Sequence, residues 1–129
     1  MSTARAVVES LYRAMAEGDG GTVIGLLAPD VSWTEAAGFP CAGTFTGPAA
    51  VAENVFARLG SEWTDFRAVP DRIVSDGDQV VALGWYSGSH TATGKAFRAR
   101  YVHWFEVSDG LVHRFEQVTD TAEISAALP

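Results

Sequence analysis

Runs of β-branched and aromatic residues, separated by tight-turn signals, fill the chain from Trp63 onward. The signals are Asp76-Gly77-Asp78, the polar stretch Ser87 to Lys95, and Ser108-Asp109-Gly110. Asp-Gly connections reverse a strand with a twist that matches its neighbours, so their spacing dictates consecutive antiparallel pairing. The predicted strands are Phe66 to Val74, Val80 to Gly88, Ala96 to Val107 and Leu111 to Thr119. Pro70 cannot donate to a central ladder and points to a bend or a sheet edge in the first of them.

Upstream, the apolar period is helical. Thr3 to Glu17 sets Val7 or Val8, Leu11, and Ala14 or Met15 on one face, and Gly18-Asp19-Gly20-Gly21 ends that helix. Thr22 to Leu27 is an apolar run of helical length stopped by Pro29-Asp30. Gly38-Phe39-Pro40 and Gly43 read as a loop, after which Gly47-Pro48 opens a third helix with a Val51/Val55/Leu59 stripe closed by Gly60. Helices first and a meander after them give an α+β class, with the helices on one face of a curved sheet. A length of 129 residues predicts one domain over residues 1–129, large enough for its own core.

Charge and cysteine content exclude several partners. The formal charge is −7 and the nine Lys plus Arg residues are scattered, so no phosphate-neutralising patch exists and nucleic acid is not an expected partner. Cys41 is the single cysteine, which rules out an intrachain disulfide and a Cys/His zinc motif. Arg5, Glu9 and Arg13 interrupt any signal-peptide core, and the apolar stretch around Val80 to Tyr86 is too short to span a bilayer. A cytoplasmic setting without a membrane partner is the expectation.

Chemistry enters with Val31-Ser32-Trp33-Thr34-Glu35, which alternates as a half-buried strand and places Glu35 on the Val31/Trp33 face. A carboxylate removed from water without a cation holds its proton more tightly, toward the range of a general base at neutral pH. In Ala96 to Val107 the odd positions Phe97, Ala99, Tyr101, His103, Phe105 and Val107 form the buried face. His103 sits in its middle, either as a core histidine bonded to a carbonyl or as an imidazole on a pocket wall. Trp63 and Phe66 are core or pocket wall for a flat apolar ligand. In the last strand alternation slightly favours burying Leu111 and Phe115, which leaves Asp120 to cap the terminal stretch Thr121 to Leu128. His90 falls in a hairpin loop and reads as solvated, and Cys41 has no activating neighbour in sequence. Glu35, His103 and Asp120 lie on separate elements, and no metal site is expected from them.

The opposite sheet face carries Val102 and Trp104 on one strand and Val81, Leu83 and Trp85 on its neighbour, set among arginines. A face of that kind needs a cover, and a two-fold homodimer is the simplest one.

The stretches AEGDGGTVIGLLAPDVSW, AGTFTGPAAVAENVF, SDGDQVVALGWYSG, SHTATGKAF and VHWFEVSDGLVHRF, in this order and spacing, resemble the nuclear transport factor 2-like superfamily. The likeness is to its SnoaL-like and ketosteroid isomerase-like proteins and extends over essentially the whole chain. It implies a cone-shaped sheet wrapped around the helices, a deep apolar pocket at the open end, and dimers formed through the outer sheet face. By position, Glu35 falls on the proton-shuttling carboxylate of the isomerases. Their oxyanion-hole acid falls on His103, and their helix tyrosine on Leu11 with Tyr12 one residue away, so both positions depart from the isomerase pattern. In SnoaL-like polyketide cyclases an acid–base aspartate ends the last strand; Asp120 matches it, which implies that Arg114, Glu116 and Asp120 face inward. The limonene epoxide hydrolase branch needs an arginine and an aspartate where this chain has Tyr101 and His103.

The resulting expectation is a proton-transfer enzyme (isomerase, cyclase or lyase) for a small apolar carbonyl compound, with no metal and no cofactor. Glu35, His103 and Asp120 would carry the chemistry, with Tyr12, Trp33, Trp63, Tyr86, Tyr101, Arg114 and Glu116 around the substrate. The same pocket would serve a non-catalytic protein that holds a lipophilic metabolite. Complete filling by Trp33, Trp63 and Tyr101 would instead leave a dimerisation module with a vestigial pocket.

Overall fold

The computed structural model describes residues 3–129. Helix α1 (Ala4–Ala16) begins where the Thr3 hydroxyl accepts the Ala6 N–H at 3.1 Å, and it buries Val7, Val8, Leu11, Tyr12 and Ala14. Gly18, at φ 70°, turns the chain into α2 (Gly20–Gly25), which Asp19 caps. Strand β1 (Leu27–Glu35) and the short β2 (Gly43–Thr46) pair antiparallel. A helix then runs as α3 (Pro48–Val51), a π-helical turn (Ala52–Phe56) and α4 (Ala57–Glu62). The meander follows as β3 (Trp63–Asp76), β4 (Gln79–His90), β5 (Ala96–Ser108) and β6 (Leu111–Thr119), closed by α5 (Thr121–Ser125).

The six strands form one mixed sheet in the order β2-β1-β6-β5-β4-β3. β1 joins β6 in parallel, and the other neighbours are antiparallel. This bridge lays the strand that carries Glu35 beside the last strand of the meander. Register shifts at Thr64/Arg67 and Pro70/Arg72 in β3, and at Glu106/Val107 in β5, bend the sheet, since a bulge adds one residue to one side of a pair. Its concave face packs on α1 and on the Pro48–Glu62 helix around Leu11, Val51, Val55 and Phe105. Among the described residues no helix is long and apolar enough to cross a membrane.

The α+β class, the meander and its order agree with the sequence reading, and Pro70 does lie on an edge strand. Four local expectations are corrected. Residues Gly43–Thr46 form a strand, because β1 offers them an open edge. Pro29 and Asp30 belong to β1, and the second helix ends earlier, at Gly25. Gly60 lies inside α4, whose last turn is held by the Arg58–Glu62 fork at 2.9 and 3.2 Å. His90 is buried, because the hairpin end folds back on α4 through the Thr91 N–H to Glu62 carbonyl bond and seats the imidazole edge-on to Trp63.

Candidate active site

β1 turns Val31, Trp33 and Glu35 inward and ends there, so Glu35 projects from the concave face at the strand's end. The Trp33 indole, two residues back on the same face, donates Nε1–H to Glu35 Oε1 at 3.0 Å. Oε2 is buried and has no partner among the described residues. Burial pushes the Glu35 pKa up to about 7, and the Trp33 N–H pulls against that rise. The carboxyl is therefore about half ionised near neutrality, with one oxygen anchored and the other unengaged.

Glu35 opens on a cavity of about 760 Å³ between α1, the Pro48–Glu62 helix and the sheet. Trp33, Phe56, Trp63, Phe66 and Phe115 supply most of its apolar wall, and Trp33 is fixed by stacking on Phe115 at 3.8 Å. The π-helical turn sets Phe56 edge-on to Trp33 at 5.7 Å. A π turn displaces side chains relative to an α-helix and loosens its carbonyls; the Asn54 amide meets one of these, donating to Ala50 O at 2.9 Å. Trp33 and Trp63 line the space without filling it, so the condition for a vestigial pocket is not met.

On the wall formed by β5, His103 is held by two tyrosines. The Tyr12 hydroxyl lies 2.6 Å from Nδ1, and the Tyr86 hydroxyl bonds Nε2. Tyr101 stacks on the imidazole at 4.0 Å. Burial among these rings lowers the His103 pKa to about 3, so the imidazole is neutral. Tyr12 and Tyr86 are held well above the ordinary phenol pKa, chiefly by burial, and both stay protonated. Gln117, absent from the sequence-predicted set, extends this network: its Nε2 donates to the Tyr86 hydroxyl at 2.8 Å, and its Oε1 accepts the Ala36 N–H at 3.0 Å. Alternation had placed Gln117 on the Phe115 face, the one available signal that it points inward.

Glu35, His103, Tyr12, Trp33, Trp63 and Tyr86 thus meet at one cavity. Four other expectations change. Tyr101 is buried behind His103, not on the cavity wall, and its ring crosses Gly84. Arg114 and Glu116 are exposed on the convex face, where the Arg114 guanidinium lies 5.2 Å from the Trp104 ring. The inward pairing of Phe115 with Phe105 fixes this, because period two then turns residues 114 and 116 outward. Asp120 is exposed and caps α5 through the Glu123 N–H at 3.4 Å. His103 has both ring nitrogens engaged, which leaves Tyr12 as the group able to meet a ligand from this wall. Cys41, near Glu35, has its thiol pushed up to about 12 by burial first, so it is not a nucleophile at neutral pH. No cluster of three His, Cys, Asp or Glu side chains with a metal-binding arrangement occurs among the described residues.

Similar structures agree with this architecture. An NTF2-like protein from Burkholderia thailandensis is 39% identical, with a TM-score of 0.97 over 100% of this chain and 99% of that one. An NTF2-like protein of unknown function from Burkholderia pseudomallei is 27% identical, with a TM-score of 0.90 over 99% and 98%. TerC, co-crystallised with polyporic acid, shares the fold at 23% identity and a TM-score of 0.87 over 98% of each chain. No curated protein matches the chain in sequence. The family model for the SnoaL-like domain matches residues 8–115. The chain is therefore a SnoaL-like protein of the nuclear transport factor 2-like (NTF2-like) fold.

Proposed function

We propose that the protein catalyses proton transfer on a small, largely aromatic or alicyclic carbonyl compound held in the cavity. The observation that carries this reading is Glu35 Oε2, a buried and unpartnered carboxylate oxygen at the wall of an apolar cavity. The Glu35 carboxylate removes a proton from the carbon next to the carbonyl. The C–H electron pair becomes a carbon–carbon double bond, and the carbonyl pair moves onto oxygen. Tyr12, itself buried and fixed on His103, donates a hydrogen bond to that oxygen from a position set before the substrate arrives, which is where such a bond counts most. Return of the proton at another carbon gives isomerisation; attack of the enolate carbon on a second carbonyl gives cyclisation; loss of a β-substituent gives a lyase. No step transfers electrons to or from an outside acceptor, so a base and a donor suffice. The polyporic acid of the TerC crystals supports a flat, oxygenated ring compound as the class of occupant.

The test is exchange of α-protons with solvent, which is common to all three outcomes. In D2O, 2-tetralone and related ring-fused ketones should lose their α-proton NMR signals faster with the protein than without it. Glu35→Gln should keep the fold and ligand binding while abolishing the acceleration. Unchanged acceleration in Glu35→Gln would remove Glu35 from the mechanism, and ligand binding with no acceleration by the native protein would favour a non-catalytic carrier.

Assembly belongs to the same proposal. On the convex face, cross-strand rows Val69–Trp85–Arg100, Leu83–Val102–Val118 and Val81–Trp104–Glu116 form an apolar band edged by charge. The Arg98 guanidinium lies 3.7 Å from the Trp85 ring centroid. We propose that two copies join through this face.

A further inference from the structure

The network behind Tyr12 contains one donor whose direction is fixed. The Ala36 N–H can only donate, so the amide of Gln117 is oriented with Oε1 toward it and Nε2 toward Tyr86. The Tyr86 hydroxyl therefore accepts from Gln117. Its own proton has one remaining partner among the described residues, Nε2 of His103. If Tyr86 accepted from His103 as well, its proton would be buried with no acceptor, a loss on the order of 1–3 kcal/mol. A neutral imidazole has one N–H and one bare nitrogen. With Nε2 accepting, Nδ1 carries the hydrogen and gives it to the Tyr12 oxygen, 2.6 Å away. Each hydroxyl and imidazole proton of the chain then has an acceptor up to the last, the Tyr12 O–H on the cavity wall, beside which the buried Tyr101 hydroxyl also lacks a hydrogen-bond partner among the described residues.

We infer that Gln117 is a positioning residue that sets a one-way hydrogen-bond chain, Ala36 N–H to Gln117 to Tyr86 to His103 to Tyr12. It holds His103 as the Nδ1–H tautomer and presents the Tyr12 proton to the ligand. The opposite direction would commit the Tyr12 proton to His103 and leave the cavity without a donor from this wall. The chain starts at the peptide N–H directly after Glu35, so the proposed base and donor are set from one point of the backbone. The effect of the Tyr12 proton on a carbonyl rests on the proton-transfer reading above; the direction of the chain does not.

The experiment is long-range 1H–15N correlation of His103 in 15N-labelled protein, with Gln117→Glu as the variant. In the native protein a protonated Nδ1 and a bare Nε2 are expected, and the Nε2–H tautomer would overturn the inference. In Gln117→Glu, read above the pH at which the 13C shift of the new carboxyl shows it ionised, the carboxylate accepts from Tyr86, which reverses the chain, so His103 should change to the Nε2–H tautomer; below that pH the acid donates to Tyr86 and Nδ1–H should return. A folded Gln117→Glu that keeps Nδ1–H with its carboxyl ionised would also overturn it, and if that variant does not fold or does not ionise, the native tautomer alone decides. With 2-tetralone at saturation, reversal should lower the exchange rate roughly a hundredfold, with a much smaller change in KM. If the native protein shows no exchange but the tautomer is Nδ1–H, the proton-transfer reading fails and the chain direction stands.

Discussion

At the scale of single residues, the site is a contest over one carboxyl group. Burial raises the Glu35 pKa toward about 7, and the Trp33 indole N–H, bonding the ionised form at 3.0 Å, restrains it. Trp33→Phe removes that restraint, so the pKa should rise above 7 and the rise in α-proton exchange with pH should move to higher pH. For a hydrogen bond worth about 1.5 kcal/mol, the ionised fraction at pH 7 falls roughly sevenfold. A pH–rate profile of Trp33→Phe checks this, and an unmoved or acid-shifted profile would mean that the indole does not control the base. Glu35 and His103 were legible in the sequence because alternation with period two carries each onto an apolar face without any knowledge of its partners. The same alternation carries Gln117 onto the Phe115 face but not its role, since its partners Ala36 and Tyr86 stand 81 and 31 residues away and meet it only once β1, β4, β5 and β6 are side by side.

At the scale of elements, β4 has a notch at Gly84 that the Tyr101 ring crosses on its way behind His103. A Cβ at this position would collide with the Tyr101 ring and with the Val69 carbonyl oxygen, and the latter is backbone that cannot swing aside. Gly84→Ala should therefore cost at least about 2 kcal/mol, read as a lower denaturant midpoint. It should also disturb the His103 NMR signals by displacing the ring stacked on them; a variant of native stability would show that β4 gives way at this point. The strands and first helix were readable because their apolar periods and turn residues are local. β2 was not, because four residues after a glycine-rich loop become a strand only when β1 presents an edge. The last strand shows the complementary failure: family position placed Arg114, Glu116 and Asp120 at the pocket, whereas the pairing of Phe115 with Phe105 turns the first two outward. The simple alternation of that strand had favoured the Phe115 face.

At the scale of the whole molecule, the sheet separates two surfaces of different character. The concave side encloses the cavity, and the convex side presents the Val69, Trp85, Val102 and Val118 rows. Val118 is 61% exposed in the single chain, far more than a valine inside a closed interface. Light scattering should give a mass twice the 13.7 kDa of the chain. Val118→Glu should halve that mass while leaving the circular dichroism of the fold intact, because the substitution touches an open surface of the protomer. A native protein that scatters as a monomer at micromolar concentration would remove the interface. The cavity has one further consequence, in osmotic terms. A space of about 760 Å³ that reaches the surface beside Gly18 and Asp19 is open to water, so an apolar occupant enters by pushing that water out against the walls' hold on it. Solutes too large to follow it in, which are excluded from the cavity, then favour the loaded molecule, because each water released joins the bulk.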